Sequence, residues 1–267
     1  MNGKEIRLNR IRDRESGNFL TVPMDHGVTT GPIDGLEDAA ATVDAIARGG
    51  GDSVLVHKGI ARHEFSNADE EIGLIVHINA ATEVGPDPND KVMVGDVEEA
   101  VRLGADAVSV HINVGSETEP HQLTDLGRVA DACDEYGMPL MAMTYVRGPD
   151  VDSADPTTIA HATRLGAELG ADVVKTSYTG DPDEYERVIE GCPVPVVLAG
   201  GPKADTKRAV LADIREAMDV GARGVAMGRN VFQQDDVAAM TRAISRVVHD
   251  GLGADEALEA THGVESA

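Results

Sequence analysis

Four stretches of this chain share one design: A-R-G-G-G-D-S-V (Ala47–Val54), R-L-G-A-D-A-V (Arg102–Val108), E-L-G-A-D-V-V (Glu168–Val174) and D-V-G-A-R-G-V (Asp219–Val225). Each closes a helix-period segment with glycine and enters an apolar run. Glycine after the last helical turn supplies the left-handed cap, so all four read as helix-to-strand turns. Eight strand-sized apolar runs follow this rhythm: Phe19–Pro23, Ser53–His57, Leu74–Ile78, Ala107–Val110, Leu140–Thr144, Val173–Thr176, Val196–Leu198 and Gly224–Met227. Helix-period segments separate most of them, at Asp38–Arg48, Val97–Leu103, Leu123–Tyr136, Pro156–Leu169, Asp183–Ile189, Lys207–Val220 and Asp236–Val248. A repeat of roughly 30 residues is the length of one βα unit. Eight units without a separate linker predict an α/β fold, a single (β/α)8 TIM barrel over residues 1–267, with a doubly wound sheet as the alternative. The first eighteen residues read as an amphipathic helix that covers the barrel floor.

Composition agrees with buried parallel strands. Aromatics are 3% with no Trp, so the core is built from Val, Leu, Ile, Ala and Met. Acidic residues outnumber basic ones 47 to 23, for a net charge of −24. Such a polyanion repels phosphate backbones and anionic lipid, which argues against nucleic acid and membrane surfaces as partners. Six lysines stand against seventeen arginines. An acidic, lysine-poor surface resembles that of proteins from salt-loving organisms, because high salt screens the self-repulsion. Cys133 and Cys192 are far apart and show neither a disulfide framework nor a zinc pattern. The amino terminus lacks the apolar stretch of a signal peptide, and no run is long enough for a membrane span. A soluble, cytoplasmic protein is the expectation.

In a barrel the carboxyl ends of the strands form the active-site face. Residues at those ends are Asp25 and His26, His57 and Lys58, His111 and Asn113, Tyr145 and Arg147, Lys175, Gly200-Gly201-Pro202-Lys203, and Gly228-Arg229-Asn230. Lys175 shares parity with Val173, and Tyr145 with Met141 and Met143, so both project into the mouth. Burial disfavours a charged amine, and the neutral amine is the form that attacks a ketone to give an imine. Tyr145 and Asp25 are then candidate proton carriers. The competing reading makes Lys175 a structural partner of a barrel carboxylate, Tyr145 a core cap and Asp25 the start of an Asx-turn. The glycines after strands seven and eight suit a phosphate cradled on backbone N–H groups, with Arg229, Lys203 or Arg147 as cations; tight turns alone would also need them. His26, His57, His77 and His111 lie near strand ends, but no metal-binding spacing joins them, and the expectation is no metal. The turn-rich segment Glu83–Asp90 reads as a solvated loop.

Six motifs in order, P-M-D-H-G-V, H-I-N-V-G-S, T-Y-V-R-G, V-K-T-S-Y-T-G-D, L-A-G-G-P-K and G-R-N-V-F-Q, resemble those of the archaeal-type class I aldolases over nearly the whole chain. The resemblance implies Lys175 as Schiff-base lysine, Tyr145 as proton donor and Asp25 as proton acceptor. It implies a substrate phosphate on Gly200, Gly201, Gly228 and Arg229, and a sugar site along Asp25, His26, Gly27, Val28 and Thr29 with Tyr145, Val146 and Arg147. Within that superfamily, Met24, His111–Ser116 and K-T-S-Y resemble the 2-amino-3,7-dideoxy-D-threo-hept-6-ulosonate synthase branch more than the fructose-bisphosphate aldolase branch, the alternative. Val146 departs from the proline often found there, which bears on loop rigidity. The implied chemistry joins a phosphorylated ketosugar, 6-deoxy-5-ketofructose 1-phosphate, to L-aspartate semialdehyde through an imine on Lys175, with no cofactor. That reaction belongs to the archaeal route to 3-dehydroquinate and aromatic amino acids. A homo-oligomer, a decamer by the same resemblance, is expected. A barrel that binds a phosphosugar without turning it over is the remaining alternative.

Overall fold

A computed structural model describes the backbone of residues 2–262, so residue 1 and residues 263–267 of the expected 1–267 unit lie outside the described residues. Eight parallel strands form a closed barrel: β1 (Phe19–Pro23), β2 (Ser53–His57), β3 (Gly73–His77), β4 (Ala107–Val114), β5 (Leu140–Val146), β6 (Val173–Thr176), β7 (Val196–Ala199) and β8 (Gly224–Ala226). Each pairs with the next in sequence, and β8 closes on β1 through Phe19 opposite Gly224. The fold is the (β/α)8 barrel, and the doubly wound alternative is excluded by this closure.

The repeated turn has a physical role at each copy. Gly50, Gly104, Gly170 and Gly221 all have positive φ, the left-handed backbone that ends the preceding helix. The aspartate two positions later pins the neighbouring strand: Asp52 accepts from the N–H of Leu20 at 2.6 Å, Asp106 from Leu74 at 3.1 Å and Asp172 from Leu140 at 2.9 Å. In the fourth copy Arg223 replaces the aspartate, and its backbone carbonyl accepts from Phe19 N–H instead.

Period-two alternation divides the core into two layers. Phe19, Leu55, Ile75, Ala107, Met141, Met143, Val173, Val197 and Ala226 fill the barrel interior. Their neighbours in sequence, such as Leu20, Val54, Leu74, Val108, Ala142 and Val174, face the helices. Six helices begin on side-chain caps, with Asp38, Asp96, Asp155, Asp181, Thr206 and Asp236 each accepting from a first-turn N–H. The first helix, Asn2–Ile11, places Ile11 and Leu8 against the interior cluster at the amino-terminal ends of the strands. Its Lys4 and Arg10 pair with the turn aspartates Asp172 (3.0 Å) and Asp106 (3.2 Å).

Several boundaries differ from the sequence reading. β3 starts at Gly73 and ends at His77, β8 ends at Ala226, and β4 and β5 run on to Val114 and Val146. Tyr145 therefore lies within a strand. Between β3 and the next barrel helix, Asn79–Ala80 and Val92–Met93 form a two-stranded antiparallel pair that the apolar pattern did not reveal.

Candidate active site

The interior alternation that packs Met141 and Val173 delivers polar side chains one step further up the same strands. Lys175 sits opposite Met143, Tyr145 opposite Asn113, and His57 opposite His77. Of these, Lys175, Met143 and Tyr145, together with the loops after β7 and β8, line a cavity of about 1100 Å³ at the carboxyl end of the barrel. Of the residues expected there, Asp25, His26, Thr29, Tyr145, Val146, Arg147, Lys175, Gly200, Gly201, Gly228 and Arg229 line this cavity. Gly27 and Val28 do not; they lie on the short helix His26–Thr30, with Val28 40% exposed.

Lys175 is only 7% exposed, and its Nζ has a single hydrogen-bond contact, Met143 Sδ at 3.6 Å. Among the described residues no carboxylate pairs with it, which removes the structural-ion-pair reading. Asp25 is partly buried between two imidazoles, 3.7 Å from His26 Nδ1 and 3.9 Å from His77 Nε2. Burial works against its ionisation, but His77, His26, Lys175 and His57 outweigh that and hold the carboxyl down at about 2.

His77 in turn is fixed by Ser109, whose Oγ lies 2.7 Å from Nδ1. A hydroxyl donating to Nδ1 leaves the proton on Nε2, facing Asp25. Burial pushes His77 down to about 3 despite the Asp25 charge, so the ring is neutral at pH 7. Asp25, His57 and His77 have the residue types of a metal site, with donor atoms within 4.8 Å of one another. Nδ1 of His77 already bonds Ser109, and Nδ1 of His57 lies 3.1 Å from the His77 carbonyl. These contacts make a hydrogen-bonded frame for Asp25.

On the far side of Lys175, Asn230 ties the two glycine loops together. Its Nδ2 donates to the carbonyls of Gly200 (2.7 Å) and Pro202 (3.1 Å), and its Oδ1 accepts from Ala204 N–H (2.8 Å). Arg229 donates to Gly201 O at 3.0 Å, while its Nε is buried without a partner. Lys203 is engaged with Gln233 O at 2.7 Å. A methyl group on Gly228 would lie 2.6 Å from Pro23 O, and one on Gly200 2.8 Å from Met227 Cγ, so close packing requires glycine at both.

The model of the DeoC/LacD family aldolases matches residues 19–234, which spans every barrel strand and both glycine loops. The chain belongs to that aldolase family. It is similar to the 2-amino-3,7-dideoxy-D-threo-hept-6-ulosonate synthase of Halobacterium salinarum, with 50% identity over 96% of this chain and 95% of the relative. A second relative, the 2-amino-4,5-dihydroxy-6-oxo-7-(phosphonooxy)heptanoate synthase of Streptomyces griseus, is 43% identical over 92% of this chain and 90% of its own length. Among solved structures, an archaeal fructose-1,6-bisphosphate aldolase with its catalytic lysine bound to a carbinolamine intermediate superposes with a TM-score of 0.83 at 32% identity, covering 93% of this chain and all of that one. The protein is thus an enzyme of the class I aldolase and transaldolase type, and the non-catalytic barrel is set aside. No helix among the described residues is long and apolar enough to cross a membrane.

Sequence reasoning missed several residues of this aldolase site. Ser109 escaped because it lies inside the apolar run Ala107–Val110, and Asn79, although it directly follows the run Leu74–Ile78, was passed over. Lys91 also escaped, although it lines the cavity and is 5% exposed. Its one sequence signal was rarity, a lysine retained in a chain that has six.

Proposed function

We propose that this enzyme is a 2-amino-3,7-dideoxy-D-threo-hept-6-ulosonate synthase, joining 6-deoxy-5-ketofructose 1-phosphate to L-aspartate semialdehyde. The observation that carries the chemistry is Lys175, a buried amine held beside a thioether with no carboxylate partner among the described residues. Such an amine is poised to attack a ketone. Attack at C5 of the ketosugar and loss of water give the iminium. The C3–C4 bond then breaks: its electron pair enters the iminium to form an enamine, and the C3 hydroxyl loses its proton and becomes an aldehyde. Tyr145 is assigned to that hydroxyl and Asp25 to protons near the imine. Hydroxypyruvaldehyde phosphate leaves. The enamine carbon attacks the aldehyde carbon of aspartate semialdehyde, the new alkoxide takes back a proton, and hydrolysis frees Lys175. No oxidant, reductant or nucleotide is needed for balance.

The relative from Halobacterium salinarum carries the name of this synthase and supports the assignment. A product that is 7-deoxy keeps an unphosphorylated three-carbon unit on the lysine, so the phosphate departs with the released half. A second reading has a specific observation in its favour. One glycine loop follows β7, the neighbour of the strand of Lys175, and the other, with Arg229, follows β8 beside it, where a phosphate on the retained half would sit, and the Streptomyces griseus relative is named for a product phosphorylated at C7. Gly200, Gly201, Gly228 and Arg229 are assigned to a phosphate in that orientation. His26, Thr29 and Val146 are assigned to the sugar. The Halobacterium relative and the net charge of −24 support a salt-adapted cytoplasmic enzyme, and we take it to be a homo-oligomer of decameric type.

The test is borohydride trapping followed by peptide mass spectrometry, with 6-deoxy-5-ketofructose 1-phosphate and fructose 1,6-bisphosphate compared. A reduced three-carbon adduct without phosphate on Lys175, with transfer to aspartate semialdehyde, is expected. Turnover with no trappable adduct, abolished by a chelator, would sink the imine mechanism. Efficient cleavage of the bisphosphate alone would leave the aldolase alternative.

A further inference from the structure

We propose that Lys91 and Arg147 form a second anion site at the mouth, across the barrel from the glycine loops, and that it holds first the phosphate of the departing aldehyde and then the carboxylate of the incoming one. The proposal rests on the transaldol reading above and deepens it.

Lys91 is placed by a network with no other evident purpose. It follows the turn-rich loop whose Asn89 carbonyl accepts from Asn113 Nδ2 (2.9 Å) and Gln122 Nε2 (2.8 Å). Gln122 is 1% exposed, and its Oε1 accepts from Asn113 N–H at 2.9 Å, so β4 and the following helix clamp the loop together. Asn79, on the strand that pairs with Val92–Met93, is locked to the His111 backbone by two bonds of 2.8 and 2.9 Å. His111 Nε2 lies 2.8 Å from Asn113 Oδ1, and its ring packs 4.9 Å from that of Tyr145. Arg147 follows Tyr145 by two residues, just past the end of β5, with its guanidinium carbon 4.8 Å from the centre of the Tyr145 ring. Lys91, His111, Tyr145 and Arg147 therefore converge on one wall of the cavity.

Two cations on that wall have no anion to satisfy them. Neither Lys91 nor Arg147 joins an ion pair among the described residues, whereas Lys4, Lys58 and eight of the seventeen arginines do. Burial pushes the Lys91 ammonium down, and the charge of Arg147 pushes it further in the same direction, ahead of the opposing pull of Asp25 and Asp87. Holding like charges together in a protein of net charge −24 is costly unless an anion visits.

The reaction says which anion. Tyr145 serves the hydroxyl that becomes the aldehyde, so the aldehyde half extends along β5 toward Arg147. Both aldehydes bond to the same enamine carbon and must occupy the same space in turn. In hydroxypyruvaldehyde phosphate, four bonds separate the aldehyde carbon from phosphorus; in aspartate semialdehyde, three separate it from the carboxylate carbon. One fixed pair of cations, with the flexible stem of lysine and the fork of arginine, reaches both.

The test uses Lys91→Gln and Arg147→Gln in the full-length enzyme. In the phosphate arm, release of the aldehyde phosphate from the ketosugar is followed in a single turnover without acceptor. In the carboxylate arm, enzyme loaded with hydroxyacetone receives aspartate semialdehyde, with no phosphate present. Propanal on the same loaded enzyme is the neutral control, and borohydride trapping of hydroxyacetone on Lys175 reports an intact fold. Each variant should lower kcat/KM roughly 10- to 100-fold in both anionic arms, the loss of one charge-assisted contact, while propanal and trapping stay level. Equal loss with propanal, loss in one anionic arm only, or no loss would overturn the shared site. If the Lys91 variant fails to trap hydroxyacetone, the Arg147 variant, altered at an exposed side chain, decides alone. Should the wild type not turn over the ketosugar pair, the function reading falls separately. The site is then tested on enzyme loaded with dihydroxyacetone phosphate, by comparing glyceraldehyde 3-phosphate with glyceraldehyde.

Discussion

Mild acid acts on this enzyme through the neutral histidines of the barrel mouth, and His77 sets the scale. Burial holds its imidazole at about 3 in the folded protein against the pull of Asp25, while the unfolded chain titrates near 6.5. Between those values the unfolded chain binds a proton that the folded chain refuses. The contribution of His77 is therefore complete above pH 6.5 and is lost as pH falls toward 3. Each pH unit in the window costs about 1.4 kcal/mol for this side chain, or about 2 kcal/mol by pH 5, out of a typical stability of about 5–15 kcal/mol. Burial shifts His26, His57 and His111 the same way and steepens the decline. Asp25 intrudes little, because its carboxyl is held at about 2 and its contribution is lost only below about pH 4. His249 is pushed down by burial but up more by Asp52, so its contribution is complete below pH 6.5 and is lost as pH rises. Urea unfolding at pH 7, 6 and 5 in constant molar KCl measures the slope for the wild type and for His77→Gln. The variant should lose about 2 kcal/mol less between pH 6.5 and 5. Equal slopes would refute the claim that His77 is buried neutral.

Three further outcomes follow from the same structure. Tyr145→Phe should lower turnover by about 10²- to 10⁴-fold, the usual worth of a positioned acid–base, while hydroxyacetone remains trappable on Lys175 by borohydride. Gly148→Ala places a methyl 1.8 Å from Gly115 O, a clash between backbones that no rotamer relieves, whereas Gly127→Ala in the helix Glu119–Tyr136 meets nothing within 4 Å. Thermal unfolding should show the first destabilised by about 1–3 kcal/mol or more and the second stabilised by up to about 1 kcal/mol. With a net charge of −24, the melting temperature should climb between low and molar KCl, and a flat profile would count against salt adaptation.

The barrel was legible because its interior and its turns repeat. Apolar runs marked the strands, and G-A-D marked their starts. The errors fall where other physics takes over. Gly73 opens β3 without any hydropathy signal because a side chain there would strike Arg10 O at 2.4 Å, so the first helix dictates glycine. β4 and β5 outrun their apolar cores because His111, Asn113 and Tyr145 point inward at the mouth, where the interior turns polar. That Lys175, Tyr145 and Asp25 meet in one cavity was readable from strand-end position. Lys91 was not, since its placement depends on Asn89 being clamped by Asn113 and Gln122, contacts 24 and 33 residues apart in sequence.

Two anion sites in one cavity matter because the donor is nearly symmetric. The ketosugar has ketones at C2 and C5, hydroxyls at C3 and C4, and a phosphate at one end only. An imine at C5 sends the phosphate toward Lys91 and Arg147 and retains a methyl-terminated unit. An imine at C2 sends it into the glycine loops, retains a phosphorylated unit and releases methylglyoxal. After attack on aspartate semialdehyde, the first orientation gives the 7-deoxy product and the second the 7-phosphonooxy product, the two outcomes for which the 50% and 43% identical relatives are named. On this view product identity is set by competition between the two anion sites, with Lys175 and Tyr145 common to both. Lys91→Gln weakens one competitor only. Mass spectrometry of the products from the ketosugar and aspartate semialdehyde should then show the phosphorylated fraction rising in Lys91→Gln and falling in Arg229→Gln. An unchanged ratio in both variants would mean that the orientation of the donor is fixed elsewhere in the cavity.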